Sequence, residues 1–205
     1  KVNAIIPGII PNPNITWEKS TKYDLGLESL FWNGLLGAEV TLFKERRTDI
    51  LARRNLSIPE TFGFPSLPDE NIGEVKNQGF EIVLTHRKSF ADFSYNISGN
   101  ISYAKNKIIF MDETPNVEEY QNQTGHPVGS SLYYQADGIF NTQEELDSYP
   151  HHRSSQVGDP KIIDLNEDGV IDSNDRFRFD YTSTPRTVFG INIGLTYKGF
   201  DLSAL

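Results

Sequence analysis

The 205-residue sequence contains no cysteine, which removes disulfide scaffolding and thiol chemistry together. It has no apolar run near the roughly 18 residues that a membrane-crossing helix needs, and no secretory leader at its start. Lys+Arg 19 against Asp+Glu 28 leaves a net charge of -9, and no Lys/Arg-rich run is present, so nucleic acid is set aside as a partner. Catalytic signatures are missing too: there is no HExxH, no phosphate-cradling glycine loop and no nucleophile elbow. His86, His126, His151 and His152 lack further ligands at zinc spacing and read as solvent-exposed. Nothing sets acidic pairs such as Glu118-Glu119 or Glu144-Glu145 across a cleft. No enzyme is expected.

What is present is alternation. Tyr23, Leu25 and Leu27 alternate with polar neighbours up to about Phe31, Asn33-Gly34 signals a tight turn, and Leu36, Ala38, Val40 and Leu42 return opposite Gly37, Glu39, Thr41 and Phe43. Phe80, Ile82 and Leu84 begin a second hairpin with a short turn near 87–92, and Phe93–Tyr103 alternates against Ser94, Asn96, Ser98 and Asn100 without a miss. Phe189, Ile191, Ile193, Leu195 and Tyr197, a turn at Lys198-Gly199, and Phe200, Leu202 and Ala204 form a third. Short connections (32–35, 87–92, 198–199) thus alternate with long ones (53–79, 111–187). Proline-rich residues 1–16 read as loop, and Phe62, Phe64 and Leu67 are expected to pack on a neighbour.

Alternation alone fits two architectures. A soluble sandwich hides its apolar face in a dry core; a membrane barrel turns it outward and keeps Ser, Asn, Thr and Gly inside. Strands near the length of a tilted bilayer crossing, aromatic ends, and strictly alternating short and long connections favour an antiparallel up-and-down transmembrane β-barrel of about six strands with long extracellular loops.

The 111–187 connection carries the most specific chemistry. Asp164, Asn166, Asp168, the Val170 carbonyl, Asp172 and Asp175 fall at positions 1, 3, 5, 7, 9 and 12 of a calcium loop, with Gly169 at the sixth for the sharp turn and Ile171 at the eighth for packing. The alternative is an Asx-rich turn without metal. A structural Ca2+ that stiffens the insertion is the expectation. Thr142 is placed to cap a helical turn with Glu145 three residues on. Tyr133, Tyr134 and Phe140 are aromatics that either stack on a ligand or pack the insertion onto the sheet rim.

Six stretches also resemble one family in its own order: Asn12-Pro13-Asn14-Ile15-Thr16-Trp17-Glu18-Lys19-Ser20-Thr21, Asn71-Ile72-Gly73-Glu74-Val75-Lys76-Asn77-Gln78-Gly79-Phe80-Glu81, Gly125-His126-Pro127-Val128-Gly129-Ser130, Ala136-Asp137-Gly138-Ile139-Phe140, the acidic loop from Asp164 through Arg176, and Tyr197-Lys198-Gly199-Phe200-Asp201-Leu202. The chain resembles the C-terminal part of SusC/RagA-type TonB-dependent outer-membrane transporters of Bacteroidetes. His126 and Arg178-Phe179-Asp180-Tyr181-Thr182-Ser183 depart from that pattern. The resemblance implies a barrel of about 22 strands with a plugged lumen, set in outer-membrane lipid and partnered by a SusD-like surface lipoprotein. It also implies powering through TonB by regions absent from this chain, to import an oligosaccharide or peptide. Lys1 in place of Met and the abrupt end at Leu205 read as a portion of something longer, with 1–205 a partial barrel and 111–187 its loop insertion. A soluble calcium-stabilised β module that binds a glycan or adhesion partner is the competing expectation.

Overall fold

The computed structural model describes residues 11–54, 61, 67–114 and 117–205. Its framework is a six-stranded antiparallel sheet in the order β1 (Lys19–Phe31), β2 (Leu36–Arg53), β3 (Asp69–Phe90), β4 (Phe93–Phe110), β9 (Thr187–Tyr197) and β10 (Phe200–Ala204). Each strand pairs with the next in this series, and the excursion between β4 and β9 holds four short strands: β5 (Leu132–Tyr134), β6 (Ala136–Ile139), β7 (Pro160–Ile162) and β8 (Arg176–Arg178), along with helix α1 (Gln143–Ser148). No helix among the described residues is long and apolar enough to cross a membrane, which says nothing of strands.

The turns follow their residues. At the first, Trp32, Asn33 and Gly34 take φ of 52°, 56° and 83°, and Gly34 N donates to the Phe31 carbonyl at 3.1 Å. Lys198 and Gly199 repeat the left-handed geometry at 46° and 84°, the twist that closes a two-residue hairpin.

One long-connection boundary differs from expectation. β2 runs to Arg53 and β4 to Phe110, where the long connections at 53 and 111 begin, but β3 begins at Asp69 rather than near Phe80. The second turn is only Ala91-Asp92, because Arg87, Lys88 and Ser89 stay in the ladder. The reason is that backbone pairing needs no apolar side chains. Where both faces of a strand turn polar the hydropathy period fades while the hydrogen-bond ladder goes on. The 22 residues of β3 span about 70 Å, against a hydrocarbon layer of about 30 Å. The expected packing of Phe62 and Phe64 lies outside the described residues, as does most of the proline-rich start.

Register sorts the two faces. Leu25 pairs with Leu42 and Leu27 with Val40; Ile97 faces Ile193, Ile101 faces Phe189, and Leu202 faces Leu195. On the opposite face Asn96 meets Gly194, Ser98 meets Asn192 and Asn100 meets Gly190. Phe43, like Leu30 and Val188, is an apolar residue on the polar side. Its ring end would lie 2.6 Å from a Cβ at Gly79, a position also hard against the Tyr103 carbonyl, so glycine there lets the ring cross the strand.

The chain divides into two compact units, the sheet portion (Glu18–Asp49, Glu74–Lys107, Thr184–Leu205) and a second comprising Lys1–Trp17, Ile50–Gly73 and Ile108–Ser183. Every buried apolar side chain among the described residues, Ile108, Pro127, Phe140, Leu146 and Ile171, belongs to the second. The sheet portion has none: Leu25 is 69% exposed, Phe189 75% and Phe200 80%. An apolar face of this extent is not left in water by a soluble protein. A dry sandwich core is therefore not what this sheet provides.

This chain contributes no cysteine, so single-cysteine variants made in a cysteine-free background of the full-length protein in native membranes give an unambiguous readout. Ser98→Cys is expected to react with a water-soluble maleimide and Ile97→Cys to resist it by tenfold or more; equal reactivity contradicts the facing described here.

Candidate functional site

The acidic loop is tied by its own carboxylates. Asp164 accepts from the amides of Gly169 at 2.8 Å and Asp168 at 3.3 Å, and Asp168 accepts from the Val170 amide at 2.8 Å and the Asn166 side-chain amide at 2.9 Å. Gly169 at φ +82° makes the turn, and Ile171 is buried beneath it. Asp172 then caps a short 3-10 turn by accepting from the Asn174 amide at 2.7 Å. Asp175 reaches back to the Asp172 amide at 2.7 Å, while its other oxygen accepts from the Leu165 amide at 2.9 Å. Asp175 thus joins both ends of the loop and is completely buried, a position a carboxylate holds only when hydrogen-bonded.

Tyr120 and Gln121 clamp the same segment from outside. The Tyr120 hydroxyl donates to the Asn174 carbonyl at 2.7 Å, and Gln121 Nε2 donates to the carbonyls of Ser173, Asn174 and Arg176. Burial raises the Tyr120 pKa, and the charges of Glu118, Asp175, Asp164 and Asp168 add to the shift. Sequence reasoning missed both residues, since their partners lie more than 50 positions away.

The structure therefore links Asp164, Asn166 and Asp168 at one end of the loop and Asp172 with Asp175 at the other, while Val170 is exposed. Among the described residues no three His, Cys, Asp or Glu side chains are gathered as a ready ligand set. The donors are all hard oxygens, the type calcium takes.

A second feature is an aromatic hollow. β5 pairs with β8, and beside that pair Tyr133, Tyr134, Phe179 and Tyr181, with Gly129, Ser131, Thr182 and Ser183, line an open cavity of about 590 Å³. Phe179 meets Tyr133 edge-on at 6.0 Å and stands 4.7 Å from Phe177 and 5.8 Å from Tyr181. Two anchors fix the wall. Arg178 donates to the carbonyls of Ser130 at 2.7 Å and Gln121 at 3.0 Å, its burial lowering its pKa, and Asp180 pairs with His126 at 2.8 Å. His126 is thus a structural partner rather than a solvated side chain.

The three loop aromatics divide by burial. Phe140, 1% exposed, packs edge-on against Tyr149 and His151 and is core. Tyr133 and Tyr134 remain exposed and line the hollow. Phe179 and Tyr181, their companions, sit in the stretch that departs from the family pattern, and the alternation of Phe177, Phe179 and Tyr181 was the available signal. Thr142 caps α1 as expected, accepting from the Glu145 amide at 3.2 Å.

A family model described as TonB dependent receptor-like, beta-barrel matches residues 3–204. TonB-dependent receptor P26 of Formosa agariphila is 30% identical over 203 residues, covering 94% of this chain and 20% of that protein. TonB-dependent receptor SusC of Bacteroides thetaiotaomicron is 25% identical over 197 residues, covering 94% and 19%. The structure of the RagAB peptide transporter shares the fold at a TM-score of 0.62 with 20% identity, over 94% of this chain and 21% of that one. The chain spans about a fifth of the length of these relatives.

Replacing Asp175 by Asn removes the charge that two buried amide bonds depend on. The expected loss is about 2–4 kcal/mol, seen as faster limited proteolysis within 111–186 with strand content by circular dichroism unchanged. Unaltered cleavage contradicts the role given to Asp175.

Proposed function

This chain belongs to the TonB-dependent receptor-like β-barrel family, and on that basis we propose that it forms wall and exterior loops of a transporter that imports an oligomeric nutrient across the outer membrane. The chain is an outer-membrane component. Its six-stranded sheet is barrel wall, with the apolar face toward lipid and the Ser, Asn and Gly face toward the lumen. The observation that carries the reading is the sheet portion's lack of any buried apolar side chain among the described residues. A wall needs a solvent for that face, and lipid is one. Energy coupling through TonB belongs to the same proposal, supported by the relatives being TonB-dependent receptors, and a SusD-like lipoprotein closing over the exterior loops is proposed with it on the family resemblance.

Between glycan and peptide, the hollow favours a neutral glycan. Its lining offers aromatic faces and hydroxyls and no charged side chain, which suits a sugar's C–H faces and hydroxyl edges. A peptide's charged termini find no partner there. Paired Tyr134→Ala and Tyr181→Ala substitutions in the full-length protein are expected to weaken oligosaccharide uptake about thirtyfold, the loss of two ring contacts near 1 kcal/mol each. Uptake of peptides in place of glycans overturns the cargo assignment alone. A deletion strain that still imports both at wild-type rates overturns the transport reading.

Calcium is proposed for the acidic loop on its donor spacing, bound by Asp164, Asn166, Asp168, the Val170 carbonyl, Asp172 and Asp175 as a structural ion. Chelation is expected to raise proteolysis between residues 164 and 175 severalfold, and added calcium to reverse it. Identical cleavage with chelator and with calcium rejects the ion.

A further inference from the structure

On the lipid-side face of the sheet the apolar band stops and cations begin. Along β2 that face carries Val40, Leu42, Lys44 and Arg46; along β4 it carries Ile101, Tyr103, Lys105 and Lys107; β3, running the other way, carries Lys76, Gln78 and Phe80. Register sets these changes at one level. Gly37 lies against Thr85, and Phe43 against Gly79. In an antiparallel pair the partner steps back as the strand steps forward, so Lys44 stands opposite Gln78 and Arg46 opposite Lys76. The Phe80–Tyr103 ring stack at 5.8 Å and the two-residue turn after Phe90 set Gln78 opposite Lys105 and Lys76 opposite Lys107. Five cations from three separate chain segments thus form two rows across three neighbouring strands, which lie about 4.8 Å apart.

Such rows oppose folding, because like charges directly across a ladder repel. Internal relief is small. Glu74, on the same face of β3, is held by Arg46 at 2.8 and 3.1 Å, and among the described residues Lys44, Lys76, Lys105 and Lys107 form no ion pair. A chain of net charge -9 has no compositional reason to gather them. Their level is equally specific. They sit one step beyond Phe80 and Tyr103, aromatic rings at the edge of the apolar band, where headgroups replace hydrocarbon. They also sit at the end of the sheet that leads into the long connections, which is the exterior end of such a barrel.

We propose that this patch docks the phosphate groups of an anionic glycolipid of the outer leaflet, with the lipid's acyl chains lying along the apolar band below. The site goes beyond the transport reading and rests only on the outer-membrane placement and the lipid-side facing. Free phosphate does not account for the patch's place at the band's edge, whereas a molecule with phosphate above acyl chain matches both halves. Lysine stems reach over apolar surface while their ammonium groups stay at headgroup level, and each is worth about fivefold in attraction to an anionic surface.

The test uses the full-length protein in nanodiscs of phosphatidylethanolamine doped with bisphosphorylated lipid A, reading lipid A retained per protein after washing. The combined variant Lys44→Gln, Lys76→Gln, Lys105→Gln and Lys107→Gln is expected to lose at least tenfold. Lys22→Gln, on the opposite face, is expected to match wild type, and dephosphorylated lipid A to be held equally weakly by all three. Equal retention by wild type and the combined variant overturns the proposal, as does an equal loss in Lys22→Gln or full displacement by inorganic phosphate. Heat-modifiable migration checks insertion, and if the combined variant fails that check the pair Lys76→Gln and Lys107→Gln carries the same comparison. Normal insertion and import with unchanged retention rejects the lipid site and leaves the transport reading standing.

Discussion

The governing constraint is that the sheet presents a continuous apolar face with no protein element among the described residues to bury it. Leu25, Leu27, Ile97, Ile101, Phe189 and Leu202 lie on that one face, and a sheet like this is stable only where water is excluded from it. Hydrocarbon does that without a second layer. The polar face follows from the same requirement, since small residues such as Gly190 and Gly194 opposite Asn100 and Asn96 keep a lumen-facing surface wettable.

Six strands and three tight turns were legible in the sequence because a half-buried strand must alternate, and Asn33-Gly34 and Lys198-Gly199 have few uses other than turning a hairpin. The long connections at 53 and 111 begin where β2 and β4 end, but the start of β3 was not legible. Residues 69–79 hold their ladder where neither face is uniformly apolar, so hydropathy had nothing to report. Side-chain period records solvent, and backbone pairing does not.

In the insertion, spacing identified the acidic loop and left its fastening unseen. The spacing makes Asp175 a candidate terminal ligand, and the structure shows it as the buried tie between the loop's ends. Tyr120 and Gln121, with no local signal of their own, hold the loop from a distant segment. Burial decided among the aromatics: Phe140 serves as core, while Tyr133 and Tyr134 share a hollow with Phe179 and Tyr181. The basic rows were equally beyond local reading. No run of cations exists in the chain, and only the pairing of three strands makes one.

The overhang of β2, β3 and β4 beyond hydrocarbon thickness has a mechanical consequence. Each added residue pair continues the ladder, so the wall rises above the bilayer as a stiff collar rather than a flexible rim.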